Sequence, residues 1–239
     1  MAAGRTHRGD PLRRDGGPAG PAQSRHPGPA GGPVSGLLEV LRAGALTTVQ
    51  DLGRPGWAHL GVPRSGALDP AALRLANRLV GNPEQAAGLE ITLTGCELRP
   101  TRELPLGAPA GPPAPVDLTV PVAYPTELRL NVRLGPRHDW FTPAALDRLL
   151  GTAYQVSPLS NRVGARLSGA PLPRSVAGEL PSEGLVLGAV QVPADGQPLV
   201  FLADHPTTGG YPVIAVVADV TPLAQARPGT TVRFHGPQR

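Results

Sequence analysis

Glycine and proline punctuate this chain densely, 31 of each among 239 residues. Proline lacks a backbone donor and fixes φ, and glycine loses the most entropy on ordering, so both mark turns rather than element interiors. Between these breaks, apolar residues alternate in short runs. LLEVLRAG (37–44), GLEITLTG (88–95), ELRLNVRLG (127–135) and LVFLAD (199–204) read as strands. In ELRLNVRLG, Leu128, Leu130, Val132 and Leu134 fall on one face and Arg129, Asn131 and Arg133 on the other, the period of a half-buried strand. AVQVPADGQPLVFLAD reads as a hairpin turning at Ala194-Asp195-Gly196, and the final TTVRFH pairs with a neighbouring strand.

Two helices carry start signals. In ALDPAALRLANRLVGN, Asp69 caps, Pro70 sits at the first helical position, and Gly81 offers a left-handed stop. Thr142, Pro143 and Gly151 repeat that arrangement in FTPAALDRLLG. Two short helices among so many strand candidates predict a mainly β fold closed as a barrel or sandwich. Residues 105–125 hold 7 Pro and 2 Gly in 21, too many prolines for a central strand. They are expected to form a linker between two β subdomains.

Residues 1–36 contain 9 Gly and 6 Pro, no aromatic, and five Arg against Asp10 and Asp15. Such a stretch buries too little apolar surface to offset ordering, so a disordered tail is expected. It supplies +3 of the net charge of +4. The remainder is therefore almost neutral and poor in aromatics, and no nucleic-acid partner is expected. No run approaches the roughly eighteen apolar residues of a membrane span, and the tail lacks the apolar stretch of a secretory signal. A cytoplasmic protein with no membrane partner is the expectation.

Cys96 is the sole cysteine, which excludes intrachain disulfides and cysteine-rich metal sites. His59, His138 and His205 have no metal-ligand spacing, so no metal is assigned. All 22 basic residues are arginine. Without lysine there is no Schiff base, no pyridoxal phosphate site, no P-loop lysine and no biotinylated lysine on this chain.

Three polar constellations stand out. The first is TTVQDLGRPGWAHLGVPRSGALD (47–69), far longer than a connection of two to six residues requires. Asp51, Arg54, Arg64, Ser65 and Asp69 are placed to form one polar lining, with Asp51 orienting Arg54 and Arg64 free to meet an anion. Against this, Asp69 serves as a helix cap, and an exposed Asp51–Arg54 pair contributes little. The second is DHPTTGGYP (204–212), where Gly209 and Gly210 after Thr207 and Thr208 let backbone N–H groups converge on a ligand. The same spacing serves a tight turn whose threonines bond their own backbone. The third is SNRVGARLSG (160–169): Asn161 offers paired donor and acceptor groups and Arg162 a fork suited to a carboxylate, or both belong to a solvated surface turn. Glu183 and Gln191 lie near a strand start in PSEGLVLGAVQVP. No Gly-x-Ser-x-Gly elbow occurs, so a serine hydrolase has no support.

In order along the chain, TTVQDLGRPG, GVPRSGALD, ANRLVGN, LEITLTG, SNRVGARLSG, SEGLVLGAVQVPADGQP, DHPTTGGYP and LAQARPGTTVRF resemble the biotin-dependent carboxyltransferase family. That family includes the C-type subunit of bacterial 5-oxoprolinase, allophanate hydrolase subunit 2 or KipA-like proteins, and the carboxyltransferase part of urea carboxylase. The resemblance runs from about Leu37 to Phe234. It implies two linked cyclophilin-like β-barrel subdomains and an active site formed with a sister subunit. It further implies ATP consumed by the assembled complex, biotin only on a partner chain, and a small amide or lactam substrate. One branch opens 5-oxoproline to glutamate; the other moves a carboxyl group from carboxybiotin to urea.

On this resemblance, Gly209 and Gly210 with Thr207 and Thr208 present donors to a developing oxyanion, next to the retained Tyr211. Arg54 or Arg162 binds a carboxylate, with Asn161 in the same set, and Asp51 or Asp204 orients a donor. Arg64, Ser65, Glu183 and Gln191 are expected to contact substrate. Changing Arg162 to Ala is then expected to depress turnover without unfolding the chain.

Two departures from the family follow from the residues. Relatives continue from a motif like GLEITLTG through several more strands to one like LPLGAP, whereas CELRPTRE joins the two here. Residues 37–104 are thus a truncated first subdomain, with unpaired strand edges expected, and 126–239 a second, C-terminal β subdomain. Pro206 stands where the family carries Gln. The alternatives to an enzyme subunit are a non-catalytic binding partner of the sister subunit and a decayed fragment.

Overall fold

The computed structural model describes residues 38–92, 95–101, 124–178 and 180–236. Every described residue belongs to the unit Leu37–Arg239. The tail expected over 1–36 and nearly all of the linker expected at 105–125 lie outside the described residues.

In chain order the elements are β1 (Leu38–Arg42), β2 (Leu46–Gln50), α1 (Pro70–Leu79), β3 (Gly88–Thr92), β4 (Glu97–Pro100), β5 (Glu127–Leu134), α2 (Pro143–Gly151), β6 (Ala153–Val156) and β7 (Gly164–Ser168). There follow β8 (Glu183–Gly184), β9 (Ala189–Gln191), β10 (Leu199–Phe201), β11 (Thr208–Gly209), β12 (Val213–Val217), α3 (Thr221–Ala224) and β13 (Thr231–His235). The fold is mainly β with three short helices.

Seven strands close into a barrel in the order β10-β7-β6-β13-β5-β12-β9, with β9 returning to β10. All of its ladders are antiparallel except that of β13 with β5, which runs parallel from Thr231↔Glu127 to His235↔Asn131. Alternation in β5 sends Leu128, Leu130 and Val132 inward and Arg129, Asn131 and Arg133 outward. Leu134, expected inside, is 42% exposed because it ends the strand. On β12 the two faces serve two clusters. Ile214 joins the barrel core with Leu167, Val190, Val200 and Phe234, and Val213 packs with Leu185, Ala189 and Phe201 on the opposite side of the wall.

The helix caps form as their sequences dictate. Ala72 N donates to Asp69 Oδ1 at 2.9 Å and Ala145 N to Thr142 Oγ1 at 3.1 Å. Gly81 adopts φ 71 just past α1. Gly151 is not a left-handed stop: α2 runs through it and ends at Thr152, whose extended backbone leads straight into β6.

Between residues 38 and 101, the described residues form no barrel of their own. β1 pairs with β4 and β2 with β3, as two separate two-stranded sheets. In the latter, Thr48 and Glu90 share one half-buried face, while Val49 pairs with Leu89 on the other beside Ile91. Val49, Leu89 and Ile91 are 70%, 48% and 44% exposed. Among the described residues, a strand pattern made for a buried face thus stands without a covering layer.

Within the barrel, Tyr154 is fully buried and its ring centroid lies 5.9 Å from that of Phe234. Among the described residues its hydroxyl makes no well-formed hydrogen bond, and burial pushes its ionisation upward against the smaller opposing influence of neighbouring Thr152 and Arg148. Because an unpaired buried hydroxyl costs more than its absence, Tyr154→Phe is expected to stabilise the fold by about 1 kcal/mol. Thermal denaturation checks this; a lower melting temperature in the variant would contradict it.

Candidate functional site

The loop leaving β2 is zipped shut at its base. Asp51 Oδ1 accepts from Gly53 N at 2.7 Å, the Asp51 carbonyl accepts from Ala67 N at 2.7 Å, and Arg54 N donates to the Arg64 carbonyl at 2.9 Å. Gly53 (φ +84) and Gly66 (φ +88) meet backbone to backbone: a Cβ on Gly66 would lie 2.6 Å from Gly53 N. Ser65 between the two arms, at φ 51, is the only non-glycine with positive φ among the described residues. Asp51 therefore turns the backbone rather than orienting Arg54, whose Nε instead approaches the Pro63 carbonyl at 3.4 Å.

This base is clamped onto the barrel at a charged corner. Ser65 Oγ donates to Asp204 Oδ1 at 2.6 Å. Arg162, 3% exposed, grips Asp204 with two bonds, Nε to Oδ2 at 2.8 Å and Nη2 to Oδ1 at 3.1 Å. The same Nη2 donates to the Gly66 carbonyl at 2.6 Å, and Nη1 donates to Glu90 Oε1. Glu90 Oε2 accepts from Leu68 N at 2.7 Å. Four segments thus converge: the loop base, β3, the turn before β7 and the turn after β10. Burial opposes ionisation of Asp204, yet hydrogen bonds from Arg162 and Ser65 and the charges of Arg162 and Arg54 outweigh it and hold the carboxyl below its ordinary range. Burial likewise opposes the charge on Arg162, and its bonds to Asp204 and Glu90 more than offset that. The fork expected to seize a substrate carboxylate is filled by two carboxylates of its own chain. Asn161 caps the adjacent turn, its Oδ1 accepting from Val163 N at 2.9 Å and Gly164 N at 3.3 Å.

A second group lies further along the segment that follows β10. Thr208 and Gly209 form β11 and pair with Gly184 and Glu183 of β8, and Leu185 N donates to the Thr207 carbonyl at 2.9 Å. The Thr-Thr-Gly-Gly stretch is therefore a short ribbon. Gln191, 3% exposed, donates from Nε2 to the Tyr211 carbonyl at 2.9 Å. A Cβ on Gly209 would sit 2.8 Å from that Nε2 and from Leu185 Cδ1, so both side-chain ends would have to give way. Arg137 clasps Glu183 through Nε at 3.0 Å and through Nη2. Those hydrogen bonds hold the Glu183 carboxyl below the usual range. Thr208, Gly210 and Tyr211 face solvent, the last with the Arg174 guanidinium 5.8 Å from its ring.

The structure thus joins Ser65, Arg162 and Asp204 in one corner and Glu183, Gln191 and Thr207 to Tyr211 in one ribbon. Arg54 and Arg64 stay exposed on the loop. Glu90, Arg137 and Arg174 were missed. A cavity of about 920 Å³ opens between α1 and β3 on one side and the barrel on the other, with Glu90, Asn161 and Arg162 in its wall. Among the described residues no three His, Cys, Asp or Glu side chains gather as a metal site. No helix of the described residues is long and apolar enough to cross a membrane.

The described residues build a mainly β fold around a closed seven-stranded barrel. The fold matches the solved structure of K. lactis urea amidolyase with a TM-score of 0.70 at 24% identity, over 84% of this chain and 19% of that much longer one. In sequence, the family described as "Carboxyltransferase domain, subdomain A and B" matches residues 60–130 and 98–236, and the chain belongs to that family. It is 34% identical to the C-type subunit of 5-oxoprolinase from Escherichia coli K12 over 280 positions, covering 83% of this chain and 90% of that protein. With the corresponding 5-oxoprolinase component of Haemophilus influenzae the identity is 26%, again covering 83% and 90%. Since 83% of 239 residues is about 198, the 280 aligned positions of the E. coli protein include some 80 with no residue here. That shortfall, and a family match in two overlapping pieces, agree with an absent internal block.

Proposed function

We propose that the chain is one subunit of an ATP-dependent assembly of the 5-oxoprolinase type, acting with a sister subunit on a lactam or urea-like amide. The observation that carries this reading is the likeness to two C-type 5-oxoprolinase subunits over 83% of the chain. The geometry favours a shared site. Arg162, Asp204 and Glu90 are committed to one another, which leaves the exposed Thr208, Gly210 and Tyr211 of the ribbon to meet a substrate. Hydroxyls and backbone amides polarise an amide carbonyl. ATP is consumed by the complex, and any biotin rides on a partner chain, since this one has no lysine.

Two points favour a second reading, a non-catalytic binding partner: Pro206 stands where the family resemblance implies Gln, and some 80 positions of the relative have no residue here. Reconstitution with the sister subunit separates the two. ATP-dependent release of glutamate from 5-oxoproline, absent from the sister subunit alone, is the expected result. A stable complex that releases none, and transfers no carboxyl group to urea, would leave only the binding role.

A further inference from the structure

The corner uses only the base of the loop that follows β2. Beyond the Gly53–Gly66 crossing, Arg54 to Gly61 are all exposed, yet their shape is fixed from within. One turn of 3-10 helix, Ala58–Leu60, forms the tip. It is closed by Leu60 N to the Trp57 carbonyl at 3.0 Å, Gly61 N to the Ala58 carbonyl at 2.9 Å, and Val62 N to the Trp57 carbonyl at 3.3 Å. His59 stacks on Trp57 with ring centroids 6.4 Å apart and 18° between planes. The tip holds Trp57 53% and Leu60 62% exposed. Between Leu52 and Leu68 the only charged groups are Arg54 and Arg64, and no acid accompanies them.

We propose that this loop is a docking knob, with Trp57 and Leu60 seating in an apolar socket on the sister subunit and Arg54 and Arg64 meeting carboxylates at its rim. This rests on the two-subunit reading above. Tryptophan and arginine dominate the energetics of protein interfaces, where they fill pockets and exclude water. A knob already held in shape spends little entropy on docking. Flanking like charges steer encounter with an acidic rim. An anionic membrane is the poorer occupant, because such surfaces select clusters of about four to eight basic residues, and this loop has two.

The test is titration calorimetry of the full chain against the purified sister subunit, with Trp57→Ala, Leu60→Asp and the pair Arg54→Gln with Arg64→Gln. Trp57→Ala is expected to weaken binding at least about 30-fold. Leu60→Asp is expected to do likewise, and the arginine pair to flatten the dependence on salt, with melting temperatures held. Should Trp57→Ala melt early, Leu60→Asp decides. A wild-type complex whose Kd moves less than twofold in both apolar variants overturns the knob and leaves the two-subunit reading standing. No complex with the wild-type chain overturns both. A blue shift of tryptophan emission with phosphatidylcholine–phosphatidylglycerol vesicles, and none with the sister protein, overturns the proposal in favour of a membrane.

Discussion

Arg162→Ala is expected to cost the fold about 3–5 kcal/mol at neutral pH, the penalty for leaving a charge buried without its partner. The carboxylates of Asp204 and Glu90 would be stranded against the Gly66–Leu68 backbone, in a corner where Arg162 supplies every charged bond they share. The loss should depend on pH. In the native corner Asp204 titrates below its unfolded value, so its stabilising contribution is full above the unfolded carboxylate range and disappears as pH falls through the folded pKa. Without Arg162 the opposing effect of burial is left, the folded pKa rises, and protonation relieves the stranded charge. The gap between wild type and variant should therefore narrow as pH falls from 7 towards 4. Urea unfolding at both pH values checks this. An equal gap at both would mean that the lost bonds act through packing and not charge. The expectation from sequence, depressed turnover without unfolding, is replaced by a stability defect.

That replacement shows where the sequence was legible and where it stopped. Local rules carried the helix starts at Asp69-Pro70 and Thr142-Pro143, the hairpin that pairs β9 with β10, and the alternation in β5. Each depends on residues within a few positions of one another. The barrel's closure depends on β13 lying parallel to β5, roughly a hundred positions away, which no local pattern encodes. The same distance hid the corner. Arg162 has the right chemistry for a carboxylate, but Glu90 was simply the polar position of LEITL, and nothing near it announces a partner 72 residues on. Arg137 was missed for the same reason, 46 residues before Glu183. The bare Val49, Leu89 and Ile91 were foreseeable only through the absent block, because alternation shows that a face is apolar and not what covers it.

Gly66→Ala is expected to have the second largest effect, and Gly56→Ala supplies its control. Both glycines hold positive φ, +88 and +92, so either alanine bears the left-handed cost of about 1–2 kcal/mol. Nothing lies within 4 Å of a Cβ at Gly56, whereas one at Gly66 would meet Gly53 N at 2.6 Å, Gly53 Cα at 2.7 Å and Leu52 C at 2.8 Å. Those are backbone atoms, which cannot step aside as a side-chain tip can. The two arms of the loop must part, and with them go the bonds from Ala67 N to Asp51, from Arg162 to the Gly66 carbonyl and from Ser65 to Asp204, at about 1 kcal/mol each. Gly66→Ala should thus exceed Gly56→Ala by about 2–3 kcal/mol in chemical unfolding. It should also quicken tryptic cleavage after Arg64, whose carbonyl the closed base holds in a hydrogen bond from Arg54 N. If the two variants unfold alike and Arg64 is cut no faster, the crossing of Gly53 and Gly66 is not what holds the loop against the barrel. The knob would then owe its position to the Glu90–Arg162–Asp204 corner alone.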